Sequence, residues 1–560
     1  MKKNNRLILI ALVAVIIPSV IITSSEARRR AAQKFAHSRS ADISSKLPVS
    51  VRQNMAAGNT RSDQQAGSAA RPYAERMGKG KEDIAKYGAD INEMSSMGRI
   101  AYMQAFAREQ VSKGGKGGNG RDGGGCLSDD IDCEHDGGVG LNDKQSEMGI
   151  AVDPSGMHVV IGFNEAQGFA TNPNMLSGFA TSHDGGATFT VTGSMPSPGN
   201  QSIGATLYPQ IFGDPDIKWI NTGVTAQTPN GGVFVYASIM VRTITGPSTI
   251  AGTVQTLSIH RSTDFGNTWT GPFEVTPATN PNGVFTGNNA RDASDKELID
   301  VDPDTGRLMV AWSNFTSATF SPVGKQMFTT FSDDIATAAS PTWSARQNVN
   351  LASTIPGQGI IPRFAGNGSP NVYVTYQSQT TGLAAQEFFA RSTDNGVSFS
   401  PAVALTASSF KVMDYVLGND RSHDFPWMAV DTSAGTNQGN IYIVYADNTL
   451  NDGADIAFQK SVDGGLNFTP VVRLNARAGQ DRPQWFPVVT VDTNTGRVWV
   501  FYYDQGVADT GDIMETSAVY SDDGGVTWSN QIALSDRPFH AGYGNDTGQP
   551  NLGDYNAGVA

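Results

Sequence analysis

The chain has 560 residues, and its 53 Asp+Glu outnumber its 40 Lys+Arg. Sixty-two glycines, 27 prolines and only 17% charged residues exclude a coiled coil and point to short strands joined by many turns. The charge is divided: residues 28–121 carry 18 Lys+Arg against 8 Asp+Glu, whereas residues 122–560 carry 19 against 44. So acidic a body excludes nucleic acid as a partner, because a phosphate backbone demands a basic footprint.

Residues 1–27 read as an export signal or signal anchor. Lys2, Lys3 and Arg6 precede an apolar run from Leu7 to Ile22, and Ser25-Glu26-Ala27 offers the small residues that a signal peptidase reads. Cleavage would release a secreted, periplasmic or cell-surface protein. Retention would make this segment its one membrane contact, with Arg28-Arg29-Arg30 as the flank.

Residues 28–140 form a basic, low-complexity arm. Residues 81–112 carry Ile84, Tyr87, Ile91, Met94, Ile100 and Met103 at loose helical spacing, and Gly114–Gly125 is a linker by composition. Cys126 and Cys133 are the only cysteines, and in an exported chain they most simply form a local disulfide. Asp129, Asp130, Asp132, Glu134 and Asp136 follow; they read as a solvated turn or as a place for Ca²⁺, without EF-hand spacing. No other cofactor is expected, and no metal ligands are assigned: His158, His183, His260, His423 and His540 lack ligand spacing.

From about residue 141 an eight-residue phrase of form S-x-D-x-G-x-x-[WF] recurs. Its aspartates are Asp184, Asp264, Asp394, Asp463 and Asp523, with a degenerate copy at Asp334, where Trp343 is displaced by an insertion. The spacings are 80, 70, 60, 69 and 60 residues. The Asp should accept backbone N–H groups of its own turn, the Gly should supply a positive φ, and the aromatic should plug the space between strands. Upstream of each copy lies a second repeat, an apolar strand ending near Asp, a Gly turn and another apolar strand. Examples are Ile150–Asp153 with Val159–Phe163, and Leu298–Asp302 with Leu308–Trp312. Each unit therefore reads as four antiparallel strands.

The expected fold is all-β: a β-propeller over 141–560 with six complete four-stranded blades. Leu552–Ala560 reads as the innermost strand of a partial seventh blade, or as a clasp that closes six.

The repeated turn resembles the Asp box (BNR repeat) of the sialidase superfamily. Gly213-Asp214-Pro215, Asp295-Lys296-Glu297, Phe425-Pro426-Trp427, Gln484-Trp485-Phe486-Pro487 and Gly553-Asp554-Tyr555 resemble phrases of an exported bacterial subgroup. The resemblance implies a ligand face at the entrances of the innermost strands, where Glu147, Asp214, Asp295, Lys296, Glu297, Arg363, Asp424, Trp485 and Asp554 fall. Glu165, Asn314, Asp447, Tyr503 and Asp504 join them from the ends of the second strands.

Sialidases grip a substrate carboxylate with three arginines and attack with a tyrosine, a neighbouring glutamate and an aspartate acid/base. Carried to this chain by position, the clamp is drawn from Arg363, Arg421 and Arg482, with Arg291 and Arg537 nearby. The catalytic set is Tyr503 (or Tyr555), Glu297 and Asp295. The competing reading pairs these arginines with blade-edge aspartates. The resemblance thus implies an exo-acting glycoside hydrolase on anionic glycans, working as a monomer, or alternatively a propeller that binds carbohydrate or protein without catalysis.

Overall fold

The computed structural model describes residues 10–11, 145–245, 250–275, 294–314, 326–350, 357–379, 384–405, 410–411, 416, 425–449, 454–475, 482–507, 513–535, 538–540 and 552–560. The helix expected over 81–112, the Gly linker, Cys126 and Cys133, Asp129–Asp136, Arg291, Arg421 and Arg537 all lie outside the described residues, as does most of the leader. Among the described residues no helix is long and apolar enough to cross a membrane.

Six antiparallel sheets follow one another along the chain, each with its strands in sequence order from the inside out. The innermost strands are Gln145–Val152, Asp216–Asn221, Ser294–Val301, Gly357–Phe364, Trp427–Val430 and Gln484–Val491. Each of the first five packs on the innermost strand of the next blade. The second strands Val159–Glu165, Leu308–Asn314, Ile441–Asp447 and Val498–Asp504 are buried along their whole length. Their apolar runs scarcely alternate, because both faces of a blade lie against its neighbours. The all-β six-bladed propeller read from the repeats is the fold observed.

The ring closes through the C-terminal segment. Gly558–Val559 packs between the innermost strands of the first and sixth blades. Ala557 and Val559 join the apolar cluster of the first blade, while Ala560 packs on that of the sixth. Ile10–Ala11 pairs with it antiparallel. The partial seventh blade and the clasp are therefore one object, a single strand in the seventh position.

The Asp boxes bond as their sequence dictates. In the first, Asp184 Oδ1 accepts from Thr188 N–H at 2.9 Å, and Ser182 Oγ accepts from Gly186 N–H at 2.9 Å. The degenerate copy keeps the pattern despite its insertion, since Thr342 supplies N–H and Oγ1 to Asp334, both at 2.8 Å. Packing corrects one expectation. The aromatic of the box seats against the preceding blade rather than only between strands of its own: Trp269 meets Phe179, Phe468 meets Phe389, and Trp528 meets Phe458. The box glycines abut the same neighbour. A Cβ on Gly266 would come within 2.7 Å of Thr181, and one on Gly525 within 2.6 Å of Phe458.

A basic residue directly before the box serine completes the joint. Arg261 donates to the carbonyls of Ile335 (2.6 Å) and Ala338 (2.8 Å) in the following box, and Lys460 donates to Gly524 O at 2.6 Å. Arg391 does the same to Gly464 O at 3.2 Å.

Candidate functional site

Among the described residues, five of the six innermost strands begin at a kink. Glu147, Lys296, Gly359 and Phe486 have φ between 49° and 66°. At each of them the pairing with the second strand slips by a bulge. Asp214, two residues ahead of Asp216–Asn221, has φ 54°. A bulge re-aims a side chain. Non-glycine residues enter this region at a cost, and they do so where surrounding contacts hold them.

The side chains at these kinks make one polar plug. Glu147 Oε2 accepts from Asn164 Nδ2 and Glu147 Oε1 from Asp554 N–H, both at 2.9 Å. Asn164 Oδ1 accepts from Asp214 N–H at 2.7 Å. Lys296 pairs with the Asp554 carboxylate, and its ammonium stands 5.5 Å from the centre of the Phe425 ring. Asp216 Oδ2 accepts from Ile299 N–H at 2.8 Å, tying the second blade to the third. Blades one to three and the C-terminal strand are thus joined across the channel.

The plug is acidic and buried. Burial pushes the Asp214 carboxyl well above the ordinary carboxylate range, and the charges of Glu147, Asp295 and Glu297 push it further. Burial does the same to Glu297, with Asp295, Glu147 and Asp216 adding to it. No donor reaches either carboxyl oxygen of Asp214 or of Glu297. Among the described residues no three His, Cys, Asp or Glu side chains are spaced to hold a metal ion.

The structure separates the residues named from sequence. Asp295 and Glu297 fall in one cluster, and the tyrosine beside them is Tyr555. Its phenol is raised by burial and by the charges of Asp214, Glu147, Glu297 and Asp216, and its OH donates to Pro215 O at 3.2 Å. Tyr503 instead donates to Asn556 Oδ1 at 3.2 Å and packs among Trp485, Phe486 and Phe539. All four are buried, Tyr503 to 5% and Tyr555 to 4% exposure.

Arg363 is not at an entrance. It is the penultimate residue of Gly357–Phe364, about 13 Å along the strand from the kink at Gly359. There its charge opposes the upward shift that burial imposes on Asp300, whose Oδ2 accepts from Phe364 N–H at 2.8 Å. Arg482 is on the entrance side, two residues before Gln484–Val491, and donates to Gln505 O at 3.3 Å. Asn164, the crossbar of the plug, escaped the sequence reading. Its only signal is its place, one residue before Glu165 at the end of a second strand.

Residues 519–530 match the BNR/Asp-box repeat family. No curated protein matches the sequence significantly. Solved structures align at low identity. A protein of unknown function from Dyadobacter fermentans aligns at 17% identity and TM-score 0.40 over 65% of this chain and 91% of that one. The Hadza microbial sialidase Hz136 does so at 13% and 0.39 over 66% and 65%. An α-L-arabinanase of Penicillium chrysogenum does so at 12% and 0.39 over 70% and 94%. The strand topology and the repeats define an Asp-box β-propeller.

Proposed function

We propose that this is a glycan-directed protein whose working face is the end of the ring where the innermost strands begin, and that it cleaves glycosidic bonds there with carboxyl chemistry. One observation carries the reading: Tyr555 stands among Glu147, Asp214, Asp216 and Glu297 at that end, and Asp214 and Glu297 are held toward the neutral acid. A carboxylic acid kept protonated near neutral pH is what leaving-group protonation needs. In this reading the acid role expected of Asp295 passes to Glu297, whose carboxyl burial keeps neutral, and Tyr555 replaces Tyr503.

The charge of the site bears on the substrate. Among the described residues Lys296 is taken by Asp554, Arg363 lies at the far end of its strand, and Arg482 is the cation left on the entrance side, where it donates to Gln505 O; Arg291, Arg421 and Arg537 lie outside the described residues. An acidic mouth disfavours a sugar carboxylate, so a neutral glycan is the preferred substrate over an anionic one. The leader-like segment fits a protein that meets such glycans outside the cytoplasm.

A binding propeller without catalysis is the second reading. It is favoured by the burial of Tyr555, Glu297 and Asp295, which leaves substrate no direct approach to them.

Aryl glycosides of neutral and anionic sugars, assayed with Glu297→Gln, Tyr555→Phe and Tyr503→Phe, separate the readings. The hydrolase reading expects turnover of a neutral glycoside, lost in the first two variants and kept in the third. Turnover confined to sialic acid glycosides would overturn the neutral-sugar assignment. A folded protein without turnover that retains neutral oligosaccharides on a glycan array would establish the binding reading.

A further inference from the structure

We infer that Asp214 is a neutral carboxylic acid which donates its proton to Glu147, and that this shared proton lets Glu147 hold the C-terminal strand in the ring.

The two residues meet on one amide, Asn164, which donates to Glu147 Oε2 at 2.9 Å and accepts from Asp214 N–H at 2.7 Å, and the charge of Glu147 opposes ionisation of Asp214, yet their surroundings differ. Glu147 receives two donors, Asp554 N–H on one oxygen and Asn164 Nδ2 on the other. Those donors favour its ionised form. Asp214 receives none on either oxygen. Its backbone N–H fixes the Asn164 amide by donating to Oδ1, so that amide turns its NH₂ to Glu147 Oε2 and to Ser146 Oγ (3.4 Å), which takes both of its donors.

The other groups facing Asp214 supply no donor either. From the third blade come Asp295 and Glu297, both acidic, and Lys296, which is committed to Asp554. From the C-terminal strand comes Tyr555, whose OH is given to Pro215 O. From its own blade comes Asp216, which accepts from Ile217 N–H, Ile299 N–H and Lys218 Nζ. An ionised Asp214 in this place would have nothing to replace its lost water. Protonated, it has one partner, and that partner is Glu147.

The consequence is mechanical. Glu147 bears on Asp554, and Asp554 begins the segment that fills the seventh position between the first and sixth blades. Ionising Asp214 sets a second charge against Glu147, and Gly553 leaves that side chain no room to retreat, since a Cβ placed there would already collide with it. The sign follows from linkage. The folded state binds a proton that the unfolded or released state gives up near pH 4, so retention of the strand weakens as pH rises above that value. The weakening ceases only above the raised value for Asp214, and the opening equilibrium grows by up to about tenfold per pH unit in between.

The test is hydrogen exchange by mass spectrometry on the full chain between pH 5 and 9, corrected for intrinsic exchange. Protection of residues 552–560 should fall with pH while that of the Asp-box strands stays level. Asp214→Asn, whose amide can donate to Glu147 without ionising, should hold that protection constant. Protection of 552–560 that does not change with pH in the unmodified chain would overturn the inference, whether or not the variant folds. So would an equal pH dependence in Asp214→Asn. Neither outcome depends on glycan turnover, so the inference and the proposed function fail separately.

Discussion

Lys296 of the third blade reaches across the channel to the carboxylate of Asp554, 258 residues further along the chain. Their side chains are 1% and 0% exposed. Two ions taken out of water in this way must compensate each other, so removing one leaves a buried charge uncompensated. Lys296→Met should therefore cost about 3–5 kcal/mol by stranding Asp554, and adding Asp554→Asn should recover most of that loss. Urea midpoints of the two single variants and the double variant measure the coupling, and strictly additive losses would refute it.

The box glycine is a second point of strain. Gly525 has φ 77° and faces the Phe458 ring of the preceding blade. Alanine there meets both a left-handed backbone and an occupied space, so Gly525→Ala should lose about 2–4 kcal/mol. Thermal melting is the measurement. A loss no larger than that of an alanine at the open Gly204 would show that the contact between blades carries no weight.

The Asp-box carboxylates set the acid limit. Side-chain donors, with Thr188, Ser392 and Asn467 foremost, hold Asp184, Asp394 and Asp463 down at about 2. These values lie below those of an unfolded chain, so the stability they contribute is present above about pH 4 and is lost as pH falls toward 2. Asp394→Asn should lower the melting temperature at pH 6 and make the further fall between pH 4 and pH 2 smaller. An unchanged acid slope would assign acid unfolding to other groups.

Arg261 ties the second blade to the third through two carbonyls, at 2.6 and 2.8 Å. Arg261→Met removes the donors together with the guanidinium that lies 4.6 Å from the centre of the Phe273 ring. The expected loss is about 1–3 kcal/mol. Hydrogen exchange should localise it to the third Asp box around Asp334, and exchange spread evenly over the ring would contradict that role.

The Asp box was legible because it is local. Its serine, aspartate and threonine lie within six residues and bond to one another, so the phrase carries its own geometry, and six copies give six blades. The insertion before Trp343 did not hide the sixth copy, since Asp334 finds Thr342 by the same two bonds. Asp295 and Glu297 were legible as a pair because they share one strand entrance. Tyr503 and Tyr555 were not separable from sequence. Both stand near strand ends in aromatic company, and what distinguishes them is a cluster drawn from four segments that meet only in the closed ring.

The sequence by itself determined the repeat, its four strands, the number of full blades and the end of each strand at which polar residues collect, because those follow from contacts a few residues apart and from apolar periodicity. Tertiary structure alone decided that Arg363 points to the far end, that Asn164 bridges Glu147 and Asp214, and that Leu552–Ala560 completes the ring. These depend on the kinks at the innermost strands and on which blade lies beside which. A left-handed residue turns its neighbours' side chains by an amount that residue type does not encode, and the partners it selects can be hundreds of residues away.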